Sequence, residues 1–254
     1  MSGTDGIWLY AVTRSAASLT GLPGVAASPP RVVEGGGLAA VVADVPLRSF
    51  GEDALRRNLE DLDWLAAVAR AHDAVIATLA EQGPVVPIRL ATVYHDDASV
   101  SAVLEARAGD FDRTLDHVAG RIEWGVKAFL EPAAEPARAA ASPSGQGAGA
   151  AYLARRRTAL ASREDRQQRA AEQVGRLHAA LAESAADACR HPPQSRELAG
   201  VDGPMVLNGA YLVEAEQADR FAETVAACGR DSDVLSVRLT GPWPPYSFSA
   251  LEET

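Results

Sequence analysis

The chain has 254 residues, 47% of them apolar and 23% charged, with a formal net charge of -10 and a pI of about 5.0. This composition excludes a disordered chain, and the length supports one large domain or two modest ones. The acidic balance argues against a protein built to neutralise nucleic-acid phosphates, and no window is long and apolar enough to span a bilayer.

In chain order, Ile7 to Val12 is a short apolar run that reads as a strand, and Leu38 to Val45 is a second, entered through the turn-prone Gly35-Gly36-Gly37. One long helix is predicted from about Asp53 to Gln82. Leu55, Leu59, Leu62, Leu65, Val68, His72, Val75, Ile76 and Leu79 recur there at intervals of three or four. Gly83-Pro84 stops it. Val85 to Val93 reads as extended, with Pro87 at an edge or bulge. Asp96 and Asp97 suit the first turn of another helix, and a further helical piece covers about Asp110 to Ala119. Ile122 to Leu130 reads as a strand in which Trp124, Val126 and Ala128 alternate with Glu123, Gly125 and Lys127.

Residues 131–149 are Ala, Pro, Ser and Gly with few charges, a composition that cannot bury enough surface to offset its ordering entropy. They are expected to link an N-terminal domain, residues 1–130, to a C-terminal one, residues 150–254. The second half opens with a helical region from about Ala150 to Cys189, polar all round in its middle and ended by Pro192-Pro193. Met205 to Val213 reads as a strand, Glu216 to Cys228 as a helix and Val234 to Leu239 as the last strand. The expected fold is α+β, each domain a small, mostly antiparallel sheet with helices packed on one side.

The run Gly241-Pro242-Trp243-Pro244-Pro245-Tyr246-Ser247-Phe248 closes the chain. Its prolines fix φ and remove donors, while Trp243, Tyr246 and Phe248 are too apolar for an ordinary solvated tail. It reads as a structural clasp folded back over a core or groove.

Signals for chemistry are weak. His72 lies inside an apolar stripe and Arg89 inside an apolar extended run, so both are expected as structural polar groups of the core, Arg89 with a carboxylate partner. The competing reading makes them the general base and anion-binding group of a cofactor-free enzyme. Asp96 and Asp97 of His95-Asp96-Asp97 are explained by a helix start and not by a metal. His191 has no companion ligand nearby, and Ser142 and Ser144 lack a base. Gly145-x-Gly147-x-Gly149 has no strand before it, so a dinucleotide loop is not indicated. No cofactor or metal is expected. Cys189 and Cys228 lack any C-x-x-C spacing and read as buried thiols of a reducing compartment. The first residues lack the charged head and apolar core of a signal peptide, so a cytoplasmic protein is expected. Arg155, Arg156 and Arg157 fan around a helix, and with Arg166 and Arg169 they are candidates for binding an acidic patch on another protein.

Several stretches share one further property. Leu38 to Val42, Asn58 to Leu65 followed by Ala71-His72, and Pro87 to Tyr94 resemble the N-terminal signature of gas vesicle accessory proteins F and L. Glu123 to Lys127, Ala151-Tyr152-Leu153 and the closing aromatic run resemble the same family in the same order. Leu90-Ala91 departs from it, since the family more often has an aromatic residue and a glycine there. The resemblance implies a non-enzymatic assembly or minor structural protein of gas vesicles. It would bind the hydrophobic main shell protein and other accessory proteins in the cytoplasm. It also implies two α+β domains, the second modified ferredoxin-like with long helices. A ferredoxin-like module that binds a small molecule is the remaining rival.

Overall fold

The computed structural model describes residues 5–15, 18, 19, 21–131, 148–195, 200 and 203–249. The expected linker lies outside them apart from its ends, as do Ser142, Ser144 and most of the Gly145-x-Gly147-x-Gly149 run. The chain divides into two compact units, Met1–Glu123 with Pro242–Thr254, and Trp124–Gly241. This differs from the expected division at residues 131–149, because the closing segment belongs to the first unit.

The first unit is built on a five-stranded sheet. Strands β1 (Asp5–Thr13), β2 (Arg31–Gly35), β3 (Leu38–Pro46), β4 (Val86–Pro87) and β5 (Val93–Tyr94) form it in the order β2-β3-β1-β4, with β5 also on β1. β2 and β3 make a hairpin closed at the pair Gly35 and Leu38. Its turn residues Gly36 and Gly37 have φ of 59° and 77°, which a two-residue hairpin turn requires and glycine supplies without strain. β1 and β3 pair antiparallel, with an irregularity between Leu9 and Ala11.

Both faces of this sheet are covered, which corrects the expectation of helices on one side. Trp8, Tyr10, Val41, Ala43 and Val45 pack with Val68, Val75, Ile76 and Leu79 of helix α3 (Leu62–Gln82). Ile7, Leu9, Val12, Ala40 and Val42 pack with Val100 and Leu104 of α4 (Asp97–Ala106) and Phe111 and Leu115 of α5 (Ala108–Val118). A strand buried on both faces reads as a continuous apolar run, as Ile7 to Val12 does.

The single helix predicted from residue 53 is two, with a further short helix ahead of them. α1 (Leu47–Phe50) and α2 (Glu52–Asn58) precede α3, whose N-cap is Asp61. The Asp61 carboxylate accepts from the backbone N–H of Asp63 and Trp64, stopping the ladder that the apolar spacing suggested should run through. Leu59 and Leu62 are consequently exposed. Asp96 caps α4 as expected, accepting from Ser99 N at 2.8 Å. Asp97 takes two bonds from Arg31, at 2.7 and 3.0 Å.

In the second unit β6 (Arg121–Leu130), α6 (Ala148–Glu183), β7 (Asp187–Arg190), β8 (Met205–Glu214), α7 (Ala218–Arg230) and β9 (Leu235–Trp243) follow one another. The sheet order is β7-β8-β6-β9. Val126, Ala128, Leu207, Tyr211, Val213 and Leu235 pack against Val174, Leu177 and Leu181 of α6 and Phe221 and Val225 of α7. The helix expected to reach Cys189 ends at Glu183, and Asp187 to Arg190 pair antiparallel with Gly209 to Leu212 instead. β9 continues past Leu239 through Gly241 and Pro242, which an edge strand tolerates because its outer N–H groups need no partner.

The extended run at Val85 to Val93 is interrupted. Val86–Pro87 and Val93–Tyr94 lie along the same strand, β1, and the chain between them turns. Ala91 takes φ of 68°, a left-handed conformation that costs a non-glycine residue about 1 kcal/mol. This is where the chain departs from the glycine of the family it resembles. Ala91→Gly is expected to stabilise the protein by about 0.5 kcal/mol, relief of strain exceeding the added unfolded-state entropy, and Ala91→Val to destabilise it. Urea unfolding of the full chain measures both.

Candidate functional site

The closing segment is held by polar contacts within the first unit. After Trp243 the chain passes Pro244 and the buried Pro245 into a 3-10 turn, Tyr246–Phe248. Ser247 donates twice to the Glu123 carboxylate, from its backbone N–H at 2.7 Å and its hydroxyl at 2.6 Å. Tyr246 donates its hydroxyl to Asp73 of α3 at 2.6 Å, and Ser249 donates to the carbonyl of Pro87 at 3.4 Å. Glu123 is only 6% exposed. Burial, then the bond to Asp73, holds the Tyr246 phenol well above its ordinary pKa.

The segment does fold back, but Trp243 is not the part that holds it. Trp243 is 51% exposed, and Tyr246 also shows a face to solvent. Trp243 therefore forms a rim, which corrects its expected role as a core clasp, while Phe248 is half-buried. Glu123, Ser247 and Asp73 carry the attachment, and the sequence reading named none of them as site residues. Nothing in the alternation of that strand, where Glu123 shares a face with Gly125 and Lys127, marks it as a buried anchor.

His72 lies under the sheet, 2% exposed, between Trp8 and Tyr10. The Trp8 indole can only donate, and it donates to His72 Nδ1 at 3.0 Å, so the ring proton is on Nε2. Nε2 is 3.1 Å from the Ile88 carbonyl and donates to it. Neither nitrogen can take a substrate proton without breaking one of these bonds. Burial lowers the His72 pKa, opposed by the Ile88 bond and the Asp73 charge. The Tyr10 hydroxyl accepts from Val25 N at 2.7 Å, and burial pushes its pKa up to about 12.

Arg89 is exposed, with no carboxylate partner among the described residues. The expectation of a core Arg–carboxylate pair is thereby corrected. The strand ends at Pro87, and the turn that follows carries the guanidinium into water. The structure does not join His72 and Arg89 in one open site.

In the second unit the candidate arginines separate into two groups. Arg166 donates to the Glu131 carbonyl at 2.6 Å, and Arg169 pairs with Asp165 and Asp233, each at 3.2 Å. Arg155, Arg156 and Arg157 lie in the stretch 152–165 of α6, which is exposed throughout and includes Tyr152, Leu153 and Leu160. Cys189 of β7 and Cys228 of α7 are free thiols, and Cys189 Sγ lies 3.6 Å from His191 Nε2. Among the described residues no three His, Cys, Asp or Glu side chains are grouped to hold a metal, and no helix is long and apolar enough to cross a membrane. An open groove of about 650 Å³ between α7 and β9 is lined by Ala222, Val225, Ala226, Leu235, Val237 and Leu239.

The family model described as gas vesicle synthesis protein GvpL/GvpF matches residues 6–250. The chain is 44% identical to gas vesicle protein L of Streptomyces sp. (strain CB03234), with 97% of this chain and 93% of that protein covered. It is 31% identical to gas vesicle protein F of the same organism, over 95% and 98%. The crystal structure of GvpF from Anabaena sp. PCC7120 shares the fold at a TM-score of 0.67 and 18% identity, covering 98% of both chains. GvpF from Microcystis aeruginosa matches at 0.65 and 18%, covering 97% of this chain and 99% of that one.

Two outcomes follow from the geometry. Glu123→Ala removes the acceptor of two Ser247 donors and is expected to cost about 2 kcal/mol, with faster proteolysis of the closing segment. Unchanged stability and cleavage would contradict the anchor. For His72, a folded pKa below the unfolded value of about 6.5 means the unfolded state binds the proton first as pH falls. The stabilisation is present above that value and is lost as pH falls towards the folded pKa. His72→Gln is expected to be less stable near neutrality, yet to lose less stability than the parent between about pH 7 and about pH 5, by urea midpoint.

Proposed function

The chain belongs to the gas vesicle synthesis protein GvpL/GvpF family, and from that premise we propose that it is a gas vesicle assembly or minor structural protein. In this reading it binds the hydrophobic main shell protein and other accessory proteins while vesicles form, acts in the cytoplasm and catalyses no reaction. The higher identity to the L-named Streptomyces relative favours the L type. The strand order β7-β8-β6-β9, with α6 and α7 on one face, supports reading the second unit as a modified ferredoxin-like domain.

The observation that carries shell-protein binding is the rim at Trp243 and Tyr246. A strongly apolar subunit must be shielded before it is incorporated, and an acidic carrier keeps the complex in solution. Rings presented by a proline-locked backbone lose little entropy on binding, the situation in which single aromatic residues dominate affinity. The anchored 3-10 turn sets the rim against α3, so the first unit supplies this contact. The exposed arginines of α6 supply the contact to accessory proteins.

Affinity of the full chain for the main shell protein, compared with Trp243→Ser, tests the assignment. The variant is expected to bind about tenfold or more weakly, with its melting temperature nearly unchanged because the ring is half-exposed. Equal affinity would remove the rim from the function.

A further inference from the structure

Residues 152–165 of α6 project an arm in which Arg155, Arg156 and Arg157 stand between Leu153 and Leu160, with Arg163 one turn on. None of these four arginines pairs with a carboxylate among the described residues, although the chain carries a net charge of -10. At 100° per residue, Tyr152, Arg156, Leu160 and Arg163 extend the direction that Ala170, Val174, Leu177 and Leu181 bury further along the helix. Leu153 and Leu160 are about 10 Å apart along the axis. The arm is therefore an apolar stripe laced with unpaired cations.

The first unit carries the complementary pattern. Leu59 and Leu62 are exposed, Leu62 at 77%, where the break between α2 and α3 lifts them from the core. Glu60 and Asp61 lie between them and Asp63 follows, three acids within five residues. Asp61 is committed to capping α3, whereas no cation among the described residues pairs with Glu60 or Asp63. Leucine-bracketed arginines on one unit thus match leucine-flanked carboxylates on the other.

We propose that the chain self-associates, the arm of one copy lying across the Leu59 to Asp63 corner of a second, with leucines in contact and Arg156 and Arg157, on either side of the Leu153 and Leu160 direction, facing Glu60 and Asp63. Nucleic acid fits the arm less well, because the remainder of the molecule is strongly acidic. Patches of this size fall below a standard interface of about 1,600 Å², so the association is weak and dependent on salt. The contact is heterologous: two copies exchanging arms close a dimer, and other geometries make rings or open chains. The inference rests on reading α6 as the contact to accessory proteins and names that partner. Shell-protein binding at Trp243 uses other residues, so the two assignments fail separately.

Sedimentation velocity of the full chain at low and high salt tests it. At low salt the mass is expected to exceed 26.6 kDa and rise with concentration, and at high salt to return to the monomer. R155E/R156E/R157E, checked for retained helix by circular dichroism, is expected to weaken association about tenfold or more, and E60R/D63R to do the same from the other side. Mixing the two variants is expected to restore a complex, because the reversed arm now faces a reversed corner. A monomer at every concentration in low salt, association unchanged in both variants, or a mixture that stays monomeric would each overturn the proposal.

Discussion

A carboxylate buried as deeply as Glu123 needs hydrogen-bond donors, and here two of them come from near the other end of the chain. Each bond to a charged acceptor contributes about 1.5 to 3 kcal/mol, while desolvating the carboxylate costs several kcal/mol. Removing the carboxylate strands two donors in a half-buried site, so the interaction holds the last described turn in place. That placement makes the first unit discontinuous in sequence. It also brings Tyr246 to Asp73 on α3, the helix whose next residue inward, His72, is held between Trp8 and Ile88. The exposed rim at Trp243 therefore stands on a rigid base. The prolines on either side remove backbone freedom, and the hydroxyl contacts of Tyr246, Ser247 and Ser249 fix its orientation.

Much of the architecture was legible wherever one local signal dominated. The apolar runs at Ile7 to Val12 and Leu38 to Val45 are strands, Asp96 caps the helix assigned to it, and Val68 to Leu79 form the buried stripe of α3. Errors arose where two signals competed. Leu59 and Leu62 fit the helical period, but the capping carboxylate between them wins because it satisfies two donors that the helix start would leave open. Ala185 to Cys189 are small residues without a strand pattern, and pairing with β8 overrides local propensity there. Arg31-Val32-Val33-Glu34 hides a strand because half of it is charged, although Arg31 spans to Asp44 and Asp97. The run of apolar residues in β1 already signalled burial on both faces, a reading that one-sided helix packing overlooked.

The site was less legible than the fold. Aromatic and proline content announced the closing segment, yet its anchor is Glu123, whose place in an alternating strand suggested an outward side chain. Nothing local to Ser247 or Asp73 reveals a partner more than a hundred residues away. Arg89 shows the opposite failure: apolar neighbours implied burial, and a turn through the strained Ala91 releases it to solvent. The shared fold at 18% identity speaks for architecture alone, while the family match over residues 6–250 carries the link to gas vesicles. The proposed division of labour rests on exposed aromatic rings on one unit and, among the described residues, arginines without a carboxylate partner on the other.

Hydrogen exchange of the full chain with and without the main shell protein tests that division most directly. The account predicts slowed exchange in the amides of Trp243 and Tyr246 to Ser249 and along the neighbouring face of α3, with residues 152–165 unaffected. Slowing confined to the unit Trp124–Gly241, with the closing turn and α3 unchanged, would contradict it.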